Sequence, residues 1–202
     1  KLGELPSALF EALASQALRP KTLHSFRARE VANTAWAFAT LACRHTHLLN
    51  AMADRALQPG FITTFNSQEL VNTAWAFAVL RIPHDPLMAA MGAHALSSDF
   101  IPTSSPQGLA TFAWAFATSG LRHGSLMMAI ADRALGSELL LSFTPQDVAN
   151  TAWALAAVGL RHDTFMAEVA ARLREPQFLQ ALQAQEVANI AWAFAAMGLL
   201  SD

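Results

Sequence analysis

The sequence predicts an all-α fold, specifically a right-handed α-solenoid of about five tandem 39-residue helix-turn-helix repeats. Tryptophan occurs at Trp36, Trp75, Trp114, Trp153 and Trp192, always 39 residues after the previous one. Each lies in a closely similar segment, such as VANTAWAFA or VANTAWALA. Alanine dominates, tyrosine is absent, and 53% of the residues are hydrophobic, which suits close-packed helices better than sheets. A short helix pair cannot bury its own apolar face, so tandem copies are expected to stack on one another.

The segment around each Trp carries recurrent signals for the start and end of a helix. Asn66, Ser105 and Thr144 stand where an N-cap is expected, and proline follows the last two. The acids Glu30, Glu69, Asp147 and Glu186 complete a capping box, whereas Gly108 interrupts this column. Gly120, Gly159 and Gly198 follow the helix as C-cap glycines would.

A second, partner helix precedes each Trp helix, with a pattern such as Leu87-Met88 to Ala95-Leu96. The predicted array covers residues 1–202, with helix pairs at approximately 5–42, 46–81, 85–120, 124–159 and 163–199. The chain has no initiating Met and stops at Ser201-Asp202 within the repeat pattern. We therefore expect it to be a fragment of a longer protein.

Composition and charge exclude several functional classes. The formal net charge is −2, so the chain lacks the positive excess of a general nucleic-acid binder. Eleven of its 13 cationic residues are nevertheless Arg, which can contact phosphates or stack on bases. The single cysteine, Cys43, excludes an internal disulfide. No apolar run is long enough for a membrane helix, and we expect no membrane insertion.

A helical wheel of the Trp helix separates an apolar arc from a shallow polar arc that carries Gln and Asn, with Trp at the border. Amides suit base-edge reading because they offer a donor and an acceptor together. Specificity is expected at variable positions two residues before and four residues after Trp. The candidate RNA-binding residues are Asn33, Gln68, Asn72, Thr73, Gln107, Thr111, Phe112, Gln146, Asn150, Thr151, Gln185 and Asn189. The alternative is an amide ladder between neighbouring repeats. The Trp column likewise has two interpretations, a packing ridge or a row of platforms for stacked bases.

Arginine and histidine recur behind the Trp helix. Arg44, Arg122 and Arg161 are candidate phosphate contacts along one edge, with solvated surface as the alternative. The histidines at 45, 84, 123 and 162 are expected to cap the partner helices, because neighbouring repeats hold them about 10 Å apart, too far to share a metal ion. No phosphate loop, zinc motif or nucleophile elbow is present. We therefore expect no metal, no cofactor, no small-molecule substrate and no enzymatic activity.

The stretch from Thr144 to Ala156, TPQDVANTAWALA, resembles the second helix of the octotricopeptide repeat family. Ser105-Pro106-Gln107 and the stretch from Gln185 to Ala195 match the same pattern, so the resemblance extends over all five repeats. The Pro-Pro-Glu-Trp cluster that usually marks the first helix of that family is absent here. The resemblance implies binding of organellar RNA, with a role in its stability, processing or translation, in a chloroplast or mitochondrion.

Two classes of function remain open at this point. The first is sequence-selective binding of single-stranded RNA, with one repeat per nucleotide as the simplest arrangement. The second is a structural solenoid that holds protein partners within a large organellar assembly, such as a ribosome or a photosynthetic complex. Near-neutral charge and highly regular repeats favour the second class, because regular repeats carry little information for distinguishing one nucleotide from the next.

Overall fold

The computed structural model describes residues 5–199. The predicted array also includes residues 1–4 and 200–202, which lie outside the described part. Within residues 5–199 every regular element is helical, so the all-α prediction is confirmed. By its contacts the chain divides into two compact units, Lys1–His94 and Ala95–Asp202.

Five helices of identical length carry the tryptophans. These Trp helices are α3 (Ala28–Thr40), α5 (Ser67–Val79), α8 (Pro106–Thr118), α10 (Pro145–Ala157) and α13 (Ala184–Ala196). In the first unit α3 packs against α5, and in the second unit α10 packs against both α8 and α13. The long helices that precede them, here called partner helices, are α1 (Leu5–Ala17), α4 (Thr46–Ala56), α6 (Asp85–Ser97), α9 (Gly124–Leu135) and α11 (Asp163–Arg172).

A third helical segment, which the sequence did not predict, joins each partner helix to its Trp helix. These segments are α2 (Pro20–Ser25), a 3-10 turn (Ile62–Thr64), α7 (Phe100–Thr103), a 3-10 stretch (Gly136–Ser142) and α12 (Pro176–Ala181). Two of them are anchored by buried aromatic side chains, Phe100 and Phe178. Elements this short carry too little apolar periodicity to be recognised from sequence.

The predicted caps of the Trp helices are confirmed. The side chains of Asn66, Ser105 and Thr144 each accept a hydrogen bond from the backbone N–H three residues on, at 2.9, 3.1 and 3.2 Å. The carboxylates of Glu30 and Glu186 accept from the N–H at the cap position, at 3.0 and 2.7 Å. Capping therefore accounts for the acids that precede the tryptophans.

The Trp helices end in a left-handed residue, as the C-cap glycines predicted. Gly120, Gly159 and Gly198 have φ of 75°, 73° and 65°. In the first two repeats the same position is occupied by Ala42 and Arg81, both with φ of 51°. The repeat therefore imposes its C-cap geometry even where a side chain makes the left-handed conformation unfavourable.

Candidate nucleic-acid interface

The Gln, Asn and Trp residues of each Trp helix lie along one narrow line, together with the residue four positions after Trp. On a wheel of roughly 100° per residue these four positions fall within about 60° of one another. We call this line the amide–indole stripe. Its members are Arg29, Asn33, Trp36 and Thr40 on α3; Gln68, Asn72, Trp75 and Val79 on α5; Gln107, Thr111, Trp114 and Thr118 on α8; Gln146, Asn150, Trp153 and Ala157 on α10; and Gln185, Asn189, Trp192 and Ala196 on α13.

The amides of the stripe are accessible. The four glutamines and Asn33 are exposed, whereas the other asparagines and Thr111 are half-buried. On α5 the Gln68 side-chain N–H donates to Asn72 Oδ1 at 2.8 Å. This bond joins two residues of one helix and leaves each amide with a donor and an acceptor for a further partner. Among residues 5–199 it is the one hydrogen bond between two side-chain amides of the stripe. An amide ladder would require such bonds between neighbouring repeats, and this bond lies within a single helix.

The indoles lie at the border between buried and exposed surface. Trp36 and Trp192 are 47% and 46% exposed, and the other three are half-buried. The rings of Trp153 and Trp192 lie 6.3 Å apart between centroids and are tilted by 38°. The indoles of α10 and α13 therefore contact each other as a packing ridge would, while part of each ring remains accessible.

Three candidate reading residues, two positions before Trp, are buried instead. Thr73, Phe112 and Thr151 are at most 1% exposed. The two threonine hydroxyls donate at 2.8 Å to backbone carbonyls one turn earlier, those of Glu69 and Asp147. Two residues turn a helix by roughly 200°, so this position lies almost opposite Trp and faces a neighbouring helix. The prediction that these three side chains lie on the polar arc is wrong.

Phe112 shows how fully this position belongs to the core. Its ring lies 4.6 Å from that of Phe100 and 4.8 Å from that of Phe116, measured between centroids. The variable position four residues after Trp behaves differently, since Thr40, Val79 and Thr118 are exposed on the stripe. Of the two variable positions that the sequence selected, the one four residues after Trp faces solvent in most repeats, whereas the one two residues before Trp is half-buried at Thr34 and buried in the other repeats.

The three arginines predicted to contact phosphate differ in their side-chain partners. Arg44 donates to the backbone carbonyl of Arg81 at 3.0 Å. Arg161 forms an ion pair with Asp163, and its guanidinium hydrogen bond lowers the pKa of that carboxyl group. Arg122 is exposed, and among residues 5–199 no hydrogen bond or ion pair involves its side chain. The charge of Arg161 is therefore neutralised locally, while Arg44 and Arg122 retain theirs.

Three of the four histidines predicted to cap the partner helices do so, whereas His123 forms no cap hydrogen bond at the start of α9. Nδ1 of His45, His84 and His162 accepts a backbone N–H at 3.1, 3.2 and 3.2 Å. Nε2 of the same rings approaches a carboxylate of the preceding partner helix, at 3.5, 3.8 and 3.0 Å respectively. These contacts link successive repeats within each unit. In the part of the chain that the structure describes, no group of three His, Cys, Asp or Glu side chains could hold a metal ion.

Sequence reasoning missed two arginine positions. Aligning the five repeats places Arg29 in the Gln column, so it is a cation on the stripe, where it lies 3.5 Å from Glu30. The same alignment would have revealed a column in the partner helices that contains Arg133 and Arg172. Their guanidinium groups donate to the carbonyls of Pro102 and Leu141 in the preceding repeat, at 3.2 and 3.5 Å. This second column is structural.

No protein-family model matches the chain. A search of curated proteins also gives no match. Across residues 5–199 none of the helices is both long enough and apolar enough to cross a membrane.

Proposed function

We propose that the five repeats stack as a right-handed α-solenoid and bind single-stranded RNA along the amide–indole stripe, in a chloroplast or mitochondrion. The observation that carries the proposal is the repetition of an exposed Gln, a neighbouring Asn or Thr and a partly exposed Trp in the same register on four Trp helices, with Arg29 replacing the Gln on α3. Helical-repeat proteins that read RNA use such a layout, with one base for each repeat and two or three side chains for each base. The resemblance to octotricopeptide repeats supports both the ligand and the compartment.

The chemistry of the stripe suits a base better than a phosphate. Gln68 and Asn72 are hydrogen-bonded to each other, which restrains both side chains, and each amide keeps a donor and an acceptor for a further partner. Preorganised amides lose less conformational entropy on binding and can pair with base edges. The accessible part of each indole adds an aromatic surface beside the amides, where a base can stack. Selectivity would come from Thr111 in the Asn column and from the residues four positions after Trp.

Electrostatic attraction contributes little to this proposed complex. The stripe carries one cation, Arg29, which is paired with Glu30, and the flanking Arg44 and Arg122 are the remaining candidates for phosphate contact. Two or three phosphate contacts give a slope of about −1.4 to −2 for log affinity against log salt with a single strand. A slope in this range would indicate recognition through bases more than through charge.

A protein partner within an organellar assembly is the second candidate. It is favoured by the same near-neutral stripe, because protein interfaces are depleted in charge at their centre and enriched in Trp. A photo-crosslinker at Thr118, an exposed stripe position, distinguishes the two candidates in an organelle extract. An adduct that is destroyed by ribonuclease indicates RNA, and a resistant adduct of defined mass indicates a protein.

The decisive experiment measures RNA binding by fluorescence anisotropy with a randomised single-stranded pool, followed by sequencing of the bound fraction. The triple variant Asn72→Ala, Asn150→Ala and Asn189→Ala is expected to lose at least tenfold in affinity and to lose its sequence preference. A matched control removes the exposed amides of Gln177 and Gln180, which lie on α12 away from the stripe. Unchanged affinity and preference in the triple variant, with helix content intact, would refute base reading by this stripe.

A further inference from the structure

Charge is distributed very unevenly among the segments that lead into the Trp helices. Residues 19–30, which contain α2 and the start of α3, hold one acid, Glu30, and four cations, Arg19, Lys21, Arg27 and Arg29. We call these four cations the basic cluster. The equivalent segments of the other repeats contain no Lys or Arg and have net charges of −1 or −2; they are residues 58–69, 97–108, 136–147 and 175–186.

The four residues of the basic cluster are all exposed. The positions equivalent to Arg27 and Arg29 are exposed in every other repeat, and so are three of the four equivalents of Arg19. Accessibility therefore belongs to these positions of the repeat and does not depend on which repeat carries them. The exposed equivalents are Asn66, Ser105, Thr144 and Gln183 for Arg27; Gln68, Gln107, Gln146 and Gln185 for Arg29; and Gln58, Ser97 and Glu175 for Arg19.

The charge of the basic cluster is only weakly compensated by the protein. The Glu30 carboxylate accepts the backbone N–H of Arg27 at 3.0 Å and lies 3.5 Å from Nε of Arg29. The side chains of Arg29 and Glu30 are 76% and 42% exposed, so water and salt weaken their attraction. Across residues 5–199 no ion pair involves the side chains of Arg19, Lys21 or Arg27. Most of the positive charge is therefore available to an external anion.

Three features favour the phosphates of a nucleic-acid strand as that anion. Three of the four cations are Arg, whose planar guanidinium group binds a phosphate through two N–H donors. Arg29 is also a member of the amide–indole stripe, so the basic cluster is continuous with the surface proposed to bind RNA bases. None of the exposed large hydrophobic side chains lies within residues 19–30, so this segment offers a membrane no exposed apolar side chain to insert.

We infer that the basic cluster binds the phosphate backbone of the RNA strand whose bases contact the stripe, and so fixes the place of that strand on α3. The inference rests on the proposed function and adds contacts outside the stripe, those of Arg19, Lys21 and Arg27. Each phosphate contact with a single strand adds about −0.7 to the slope of log affinity against log salt. The slope given above refers to the stripe and its flanking arginines. Three further contacts bring it to about −3.5 to −4 for a strand long enough to reach the cluster.

Fluorescence anisotropy with the randomised single-stranded RNA pool, measured between about 50 and 200 mM salt, tests the inference. The triple variant Arg19→Gln, Lys21→Gln and Arg27→Gln should bind with a slope of only about −1.4 to −2. Wild type should therefore exceed the variant in affinity by a ratio that is about 20 times larger at the lower salt concentration than at the higher one. Glutamine occupies the same three positions elsewhere in the chain, as Gln58, Gln177 and Gln183, so we expect the variant to keep its fold, which circular dichroism checks.

A control variant, Arg81→Gln with Arg174→Gln, removes two exposed cations that lie outside the basic cluster and the stripe. Its slope should equal that of wild type. The triple variant should retain the sequence preference of wild type, whereas the asparagine variant described above is expected to lose the preference and retain the steep slope. The two sets of residues are thus distinguished by two independent readouts.

The outcomes separate this inference from the proposed function. Selective RNA binding by wild type with a slope of about −1.4 to −2, or an equal slope in wild type and the triple variant, would overturn the inference and leave base reading by the stripe standing. Wild type that binds no RNA at low salt would overturn both. Binding to phosphatidylserine vesicles that the triple variant loses, with its RNA slope unchanged, would also overturn the inference and assign the basic cluster to a lipid surface.

Discussion

The imidazole of His162 joins the start of one partner helix to a carboxylate of the preceding one. Its Nδ1 accepts the backbone N–H of Phe165 at 3.2 Å, and its Nε2 lies 3.0 Å from Asp132 Oδ1. Because Nδ1 accepts, the ring proton is on Nε2, which donates to Asp132. A single side chain thus satisfies an unpaired N–H at a helix start and fixes the spacing between two repeats.

His162→Ala is expected to lower the free energy of unfolding by about 1–2 kcal/mol, since it removes a cap and a hydrogen bond to a charged group. His123 provides the matched control. It occupies the same place before α9 but forms no cap hydrogen bond there, so His123→Ala should cost less than half as much. Urea denaturation followed by circular dichroism measures both changes, and nitrogen NMR of the ring reports the tautomer. Equal losses in the two variants, or a proton on Nδ1, would contradict this account.

Ala42→Gly is expected to stabilise the protein by about 1 kcal/mol. Ala42 has a φ of 51°, a conformation that disfavours any residue with a Cβ and that glycine adopts freely. The reverse change, Gly159→Ala, should cost a similar amount, although a Cβ there would meet no atom within 4 Å. Thermal unfolding checks both variants, and Ala42→Ser, which retains the Cβ, should give no gain. If Ala42→Ser stabilises as much as glycine does, backbone conformation is not the cause.

Phe112→Ala is expected to destabilise the protein by about 3–5 kcal/mol because it empties a fully buried site between Phe100 and Phe116. Thr118→Ala, on the exposed stripe of the same helix, should change stability by less than about 0.5 kcal/mol. The proposed RNA affinity should change more in Thr118→Ala than in Phe112→Ala. Both variants are compared at temperatures well below their unfolding transitions. An RNA-specificity change in a folded Phe112 variant would contradict the placement of this residue in the core.

Arg161→Ala is expected to raise the pKa of Asp163 towards its ordinary value. That pKa is lowered chiefly by the side-chain hydrogen bond from Arg161, and the Coulombic attraction of Arg161 acts in the same direction, partly opposed by desolvation. A lowered pKa in the folded state favours folding above the unfolded-state pKa, and this contribution disappears as the pH falls through the folded value. Carboxyl-carbon NMR titration measures the change. Arg122→Ala, which removes an exposed arginine at the equivalent position, should leave the pKa of Asp163 where it is.

Local patterns made the helical content and the register of the repeat predictable from sequence. The 39-residue spacing of the tryptophans located all five Trp helices, and Ser105 and Thr144 marked where two of them start. The glycines at 120, 159 and 198 marked where three of them end. Caps and turns depend on residues within one helical turn of each other, so they can be recognised without knowing what packs nearby.

Part of the candidate site was predictable for the same reason. Gln146 and Trp153 are seven residues apart, which places them on one face of any helix, and the structure has them there. The burial of Thr73 and Phe112 could not be predicted from the residue types found at this position or from their variation between repeats. It depends on which side of the Trp helix faces a neighbouring helix. The position two residues before Trp is rotated by roughly 200° from Trp, which places it on the side away from the stripe.

The repeated sequence by itself therefore determined an all-helical chain of similar repeats, each with polar side chains along one side of its Trp helix. Tertiary structure decided which residues of each repeat are buried, because burial depends on whether another helix packs against a face and not on the residues of that face alone. Val148 and Val187 show this, since they occupy the same repeat position in closely similar segments, yet one is 0% exposed and the other 50%. The difference goes with the packing of the two helices, since α10 packs against two Trp helices, α8 and α13, whereas the Trp helix that packs against α13 is α10.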